Sequence, residues 1–385
     1  MDQIYLDNNA TTFMDPRVRD YMFEFSEARL GNPSNHLHEY GRNASRLLEE
    51  ARLRVQESLG ADAYRVVFVS GATEGLNLVV QSWAGGRTVL SCTEHKAVTE
   101  PVRWMSRASS RGAVTLPVNS SGRVDVDVVK GTLDATSEPT LLAIQMANSE
   151  TGVLQPIEEV IGLAEGRPAL TLVDASQALG KVGLNMRECT PDFLVLSSHK
   201  IHGPAGVGAL LIRKSTGEGR LRPLLLGGGQ ESGIRSGTEN LLGICGFAFA
   251  LELAVSEQPS YFCKVSILRD MVEASLARFD DQVLVNGRDA PRLPNTSNFS
   301  LRRLHLDDCL QSLGMLAVSA GSACDSREAG PSKTLLSMWR SNHEASNAVR
   351  ISFGRFNTTT DARTAADQLE AYFESRREGP DGSRL

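Results

Sequence analysis

From about Arg65 onward the chain repeats one pattern: a short apolar run, a polar or glycine-rich turn, then a longer amphipathic stretch. The runs are Val66–Val69, Thr88–Ser91, Ala113–Val118, Leu141–Ala147, Leu170–Asp174, Phe193–Leu196 and Val207–Ile212. Helical spacing marks Glu74–Trp83, Val124–Leu133 and Ile157–Glu165 between them. A strand that is apolar on both faces must be covered on both, and helical crossovers between such strands make them parallel. The pattern predicts an α/β fold with a large domain whose mainly parallel sheet is flanked by helices.

The pattern changes after a helix expected over Asn240–Val255. A long amphipathic helix (Val265–Phe279), strands at Gln282–Val285 and Thr296–Leu301 and a short helix (Leu306–Leu313) follow. Strands near Ala317 and Arg350 and a last helix from about Asp361 to Arg377 complete it, with Thr358, Thr359 and Thr360 offering N-caps. No element is expected in the polar tail Glu378–Leu385. The 385 residues suffice for two cores. The expected division is a large domain over residues 15–255 and a smaller α/β domain formed by residues 1–14 and 256–385.

Several function classes are disfavoured. The formal charge of −6, with no dense run of Lys or Arg, argues against direct binding to nucleic acid. Met1–Ala10 carries Asp2 and Asp7 and no apolar core, so it does not read as a secretory signal. The longest apolar stretch, Leu241–Val255, contains Glu252 and is shorter than the ~20 residues a membrane span requires. A cytoplasmic protein with no membrane association is expected. The six cysteines (Cys92, Cys189, Cys245, Cys263, Cys309 and Cys324) form no CxxC pair and no metal-ligand cluster. Five of them are expected to be free, buried, small hydrophobes.

The chemistry concentrates at strand ends. Phe193–Gly208 reads FLVLSSHKIHGPAGVG, an apolar strand running into Ser197, His199, Lys200 and a Gly/Pro loop. Open α/β sheets bind ligands at the C-terminal ends of their strands. A lysine there can form a Schiff base with a carbonyl cofactor, because desolvation frees the amine. Upstream, Leu170–Leu179 places Asp174 at another strand end with Gln177 beyond it. Such a carboxylate suits the pyridinium nitrogen of pyridoxal phosphate. Earlier still, Val66–Asn77 runs from a strand through Gly71, Ala72 and Thr73 into a helix, a turn that offers backbone N–H groups to a phosphate. Phosphate cradle, pyridinium partner and Schiff-base lysine follow one another in that order.

With those residues in place, the chain resembles the cysteine desulfurases, in their class I branch, of the fold-type I pyridoxal-phosphate superfamily. The resemblance rests on YLDNNATT (Tyr5–Thr12), GNPSNHLHEYGR (Gly31–Arg42), SGATEGLN (Ser70–Asn77), TEHKAV (Thr93–Val98), NSETG (Asn148–Gly152) and DASQALGK (Asp174–Lys181). SSHKIHGPAGVG (Ser197–Gly208), GGGQESGIRSGTEN (Gly227–Asn240), SAGSAC (Ser319–Cys324) and VRISFGRFNT (Val349–Thr358) continue it.

It implies that Lys200 holds the cofactor and later moves protons. Ala72, Thr73, Ser197 and His199 would hold the phosphate, joined by Thr238 from a second subunit. Asn148 and Gln177 would bond the ring oxygen and Asp174 the ring nitrogen, while His95 would stack on the ring and act in acid–base steps. Arg350 and Asn148 would bind substrate, Arg350 through its fork on the carboxylate. Asn8 and Asn9 would fold over the site, Arg355 would make a structural ion pair, and the His36/His38 segment would have a structural or entrance role.

Cys324, followed by the polar DSREAGPS, separates the resemblance from ordinary aminotransferases. A thiolate there would take sulfur from L-cysteine as a persulfide, release alanine and hand the sulfur on. The implied partners are a sulfur-acceptor protein, serving iron–sulfur cluster assembly or nucleic-acid thio-modification, and a second copy in a homodimer. Arg327 and Glu328 depart from the family's usual residues after the nucleophile. The alternative reading is a selenocysteine lyase or another fold-type I enzyme.

Overall fold

The computed structural model describes residues 3–27, 29–83, 85–108, 112–216, 221–320 and 330–377. Cys324 and the tail after Arg377 lie outside the described residues.

A seven-stranded sheet runs in the order Tyr64–Val69, Gly208–Arg213, Phe193–Ser197, Ala169–Asp174, Thr140–Gln145, Arg87–Ser91, Ala113–Leu116. From Phe193–Ser197 to Ala113–Leu116 all neighbours are parallel. Gly208–Arg213 is antiparallel to both of its neighbours. The alternation of side chains decides what each face buries. Val66, Phe68, Leu142, Ile144, Leu194 and Leu196 share one cluster with residues of helices Glu39–Leu59 and Leu241–Ser256. Val67, Val69, Leu141, Ala143, Phe193 and Val195 share the other with residues of helices Ala72–Ser82 and Lys96–Ala108. Each of the Val, Leu, Ile and Phe side chains contributes about 1.5–3 kcal/mol by leaving water, so both faces hold the sheet rigid beneath the strand ends.

A third cluster gathers Leu6, Val265, Leu268, Phe279, Phe299, Ile351, Leu369 and Phe373. Its antiparallel sheet runs Ser319–Ala320, Ala348–Ser352, Thr296–Leu301, Val283–Val285. The N-terminal strand Ile4–Tyr5 pairs with Leu316–Ala317, and Asp7 bridges to Ser352, so the first residues of the chain join elements near its end. The last helix, Thr359–Arg377, starts where the threonines predict a cap: Thr358 Oγ1 accepts from the Asp361 amide and Asp361 Oδ2 from the Thr358 amide. Among the described residues no single helix is long and apolar enough to cross a membrane. The apolar Leu241–Ser256 is a core helix, with Ile244, Phe247 and Leu251 buried.

Every strand expected between Arg65 and Arg213 is present, with ends shifted by at most two residues. Among the described residues five helices add to the expected set: Pro16–Glu27, Glu39–Leu59, Lys96–Ala108 and the short Lys333–Ser337 and Asn342–Ser346. Of the five cysteines expected to be buried, Cys189, Cys245 and Cys309 are; Cys92 is half-buried and Cys263 is exposed on helix Gln258–Leu276.

Candidate active site

A cavity of about 460 Å³ opens at the strand ends and is walled by Asn9, Thr73, His95, Asp174, Gln177, Ser197, His199, Lys200 and Arg350, among others. Each arrives there for a local reason. Thr73 lies in the first turn of helix Ala72–Ser82, whose N-cap Gly71 has φ +155 and supplies no side-chain cap. The amides of that first turn are therefore left for a ligand. Gly208 brings the neighbouring strand close: a Cβ there would sit 2.4 Å from Leu196 O and 3.0 Å from Gly71 Cα.

Lys200 ends a short 3₁₀ turn after strand Phe193–Ser197, and its Nζ donates to the carbonyls of Asn9 (2.5 Å) and Ala10 (2.7 Å). His199 Nδ1 meets Thr11 Oγ1 at 3.1 Å. Burial, with the charges of Lys200 and Lys181, pushes the His199 imidazole down to about 4, so it is neutral at neutral pH. Asp174 ends its strand and accepts from the Ser176 amide at 2.9 Å. His95 Nδ1 accepts from the Ala97 amide at 3.0 Å, which puts the neutral ring's proton on Nε2.

Gln177 donates through Nε2 to Asn9 O and accepts at Oε1 from Lys181 Nζ, both at 2.8 Å. Asn148 does not wall this cavity. Its Oδ1 accepts from the Glu150 and Thr151 amides and from Thr151 Oγ1, and its side chain faces an adjoining cavity of about 480 Å³. His95, Ser149 and Arg350 border both spaces. Arg350 is 1% exposed. Its Nη2 bonds Asp7 Oδ1 and Ser319 Oγ, its Nη1 bonds Ser149 O, and its Nε has no partner among the described residues. Thr238 is exposed and outside the cavity of its own chain.

Asn9, 1% exposed, links the site to the smaller sheet: its amide bonds Ser149 O and Thr296 Oγ1, and its backbone N–H bonds Ser352 Oγ. Asn8 packs beside it, with Nδ2 on Ser352 O. Arg355 instead pairs with Asp15 at 2.8 Å and Glu257 at 2.7 Å, away from the cavity. His38 caps helix Glu39–Leu59 by accepting from the Gly41 amide.

Two further residues carry marked chemistry. Burial pushes the Glu94 carboxyl well above the usual range; the Gln145 amide opposes this and the Asp174 charge adds to it. Its Oε2 has no partner among the described residues. Lys181, 2% exposed, stands behind Gln177. Glu94 sits beside His95 in TEHKAV and Lys181 ends DASQALGK, but neither segment reveals burial, which distant packing sets.

The donor set fits pyridoxal phosphate: an uncapped helix terminus for the phosphate, Asp174 for the ring nitrogen and an amine on Lys200. Ser176 Oγ and Arg350 Nε, buried polar atoms of the cavity wall with no partner among the described residues, leave hydrogen-bonding capacity for a ligand. Fold and site together define the class: a pyridoxal-phosphate enzyme, in which the residues that would hold the cofactor gather at the C-terminal edge of a mainly parallel sheet.

Residues 4–364 match the class-V aminotransferase family. A cysteine desulfurase of Gluconacetobacter diazotrophicus is 36% identical over 386 residues, spanning 98% of this chain and 95% of that protein. The solved NifS-like protein of Rickettsia africae superposes with a TM-score of 0.87 at 30% identity, over 97% of this chain and 99% of that one. A structure of SspA in complex with cysteine superposes with a TM-score of 0.79 at 27% identity, over 92% of this chain and 100% of that one. The chain belongs to the class-V aminotransferase family, in its cysteine desulfurase branch.

Proposed function

We propose that this protein is a cysteine desulfurase that removes sulfur from L-cysteine, leaves L-alanine and carries the sulfur on Cys324 to an acceptor. The observation that carries this reading is the convergence of Lys200, Asp174, the open helix terminus at Gly71 and the buried Arg350 on one cavity.

Bound pyridoxal phosphate supplies an electron sink conjugated to the substrate amine. Ala72, Thr73, Ser197 and His199 hold its phosphate, and Asp174 faces its ring nitrogen. Asn148 and Gln177 are assigned to the ring oxygen, Gln177 from the cavity wall and Asn148 from the adjoining space. Arg350 receives the substrate carboxylate, its Asp7, Ser319 and Ser149 contacts fixing the guanidinium in advance. Lys200 Nζ takes the proton from the substrate Cα, and His95 exchanges protons through Nε2. The Cys324 thiolate attacks the substrate sulfur. An S–S bond forms, the Cβ–S bond breaks, and its electron pair stays with the carbon that, once protonated, becomes the alanine methyl.

The same reading makes the protein a homodimer, because Thr238 can serve a phosphate site only in a partner subunit. It works in the cytoplasm and delivers sulfur to an acceptor protein of iron–sulfur cluster assembly or of nucleic-acid thio-modification. The relatives described above, which include a cysteine desulfurase and a protein bound to cysteine, favour this over a selenocysteine lyase.

The test uses purified wild type and Cys324→Ala with pyridoxal phosphate, L-cysteine and a thiol reductant, with sulfide and alanine quantified together. Equal yields from the wild type and neither product from the variant are expected. A variant that matches the wild type removes Cys324 as the sulfur carrier.

A further inference from the structure

Lys181 is a buried amine to which the reaction assigns no task. It is 2% exposed, and its Nζ donates to Gln177 Oε1 at 2.8 Å and Asn9 Oδ1 at 3.1 Å. Both acceptors are neutral amide oxygens, and among the described residues no carboxylate pairs with it. Burial, then the charges of Lys200 and Arg350, push its pKa well below the usual lysine range. Even as a neutral amine it keeps two N–H donors, enough for both bonds.

The bond from Lys181 to Oε1, with the Asn9 carbonyl on Nε2, fixes which way the Gln177 amide is turned. A glutamine amide can sit with either its oxygen or its nitrogen toward a given neighbour. With Lys181 donating to Oε1, Nε2 is turned the other way. One Nε2 proton goes to Asn9 O at 2.8 Å, and the second remains for the cavity that Gln177 walls. Asn9 is oriented by the same amine, so its Nδ2 donates to Ser149 O and Thr296 Oγ1.

We propose that Lys181 is a positioning residue for the cofactor ring, locking the Gln177 amide so that an Nε2 proton faces the ring oxygen. The inference rests on the function proposed above. The groups that titrate or carry charge around the ring's place are Asp174, His95, His199, Glu74, Arg350 and Lys200, with Lys181 behind Gln177. A donor held on the ring oxygen lowers the pH at which the lysine-bound cofactor gives up its proton. Losing that donor raises it.

The measurement is the pH midpoint of the visible absorbance of the holoenzyme in wild type, Lys181→Met, Gln177→Ala and the double variant. Lys181→Met is expected to raise the midpoint by about one pH unit, a tenfold change in the proton equilibrium. In the Gln177→Ala background, the same substitution is expected to move it by less than about a third of that, because the two act as one unit. An unmoved midpoint, or an equal shift in both backgrounds, overturns the proposal; the latter marks Lys181 as acting by its charge alone. If the Met variant does not fold, Lys181→Gln must shift the midpoint in the same direction, and no shift there also overturns it. A wild type with no cofactor band would instead refute the proposed function.

Discussion

Arg350→Lys isolates the guanidinium fork, because it keeps the charge and loses the geometry. Arg350 is 1% exposed, with Nη1 on Ser149 O at 3.1 Å and Nη2 on Ser319 Oγ at 3.1 Å and on Asp7 Oδ1. Those contacts hold the head group still before substrate arrives, while among the described residues Nε keeps an unused donor. A lysine reaches the same region as a single point charge and cannot engage both carboxylate oxygens in a plane. One charge-assisted hydrogen bond is lost, about 1.5–3 kcal/mol, or roughly a 10- to 150-fold fall in kcat/KM. The fall belongs mainly in KM, since the carboxylate is held alike before and during reaction. Initial rates of alanine formation over a range of L-cysteine concentrations measure it, with cofactor absorbance as the control for an intact site. A lysine variant within about threefold of wild type in kcat/KM would refute the assignment of Arg350 to the substrate carboxylate.

Two other outcomes follow from the packing around the site. His202 donates through Nδ1 to Phe13 O at 2.8 Å and accepts at Nε2 from the Arg355 amide at 3.4 Å. Burial, against the Phe13 bond, lowers it to about 4 from an ordinary 6.5, so its contribution is full above pH 6.5 and is lost as pH falls toward 4. That loss is of order 3 kcal/mol; denaturant unfolding across this range should show it, His202→Gln should flatten it, and an equally steep loss in the variant would contradict it. Gly208→Ala sets a Cβ against Leu196 O and the Gly71 turn, costing about 1–3 kcal/mol and loosening the phosphate site. Cofactor retained through gel filtration should drop; retention and melting temperature equal to wild type would show that the close approach is not needed.

Much of the fold was readable because burial on both faces forces continuous apolar runs, as in Phe193–Leu196 and Leu170–Asp174. Helix Glu39–Leu59 is also written in the sequence, in the spacing of Ala44, Leu48, Ala51, Val55 and Leu59, but lies upstream of the repeating strand-and-helix pattern. Lys96–Ala108 is masked by Pro101 within it and by a half-polar surface. Gly208–Arg213, the one antiparallel strand of the seven-stranded sheet, has no local signature, since a buried strand is equally apolar in either direction.

The sequence by itself determined the strand ends that bear Thr73, Asp174 and Lys200, because apolar period and turn chemistry are local properties. It also carried the order of motifs in which Cys324 is embedded. Only the tertiary structure decided that Asn9 meets Gln177, Lys181 and Lys200, that Asn148 faces the neighbouring space, and that Glu94 and Lys181 are buried. Those partners lie up to 191 positions apart in the chain. Their meeting depends on two packed cores clamping the N-terminal segment over the sheet, which no local pattern encodes.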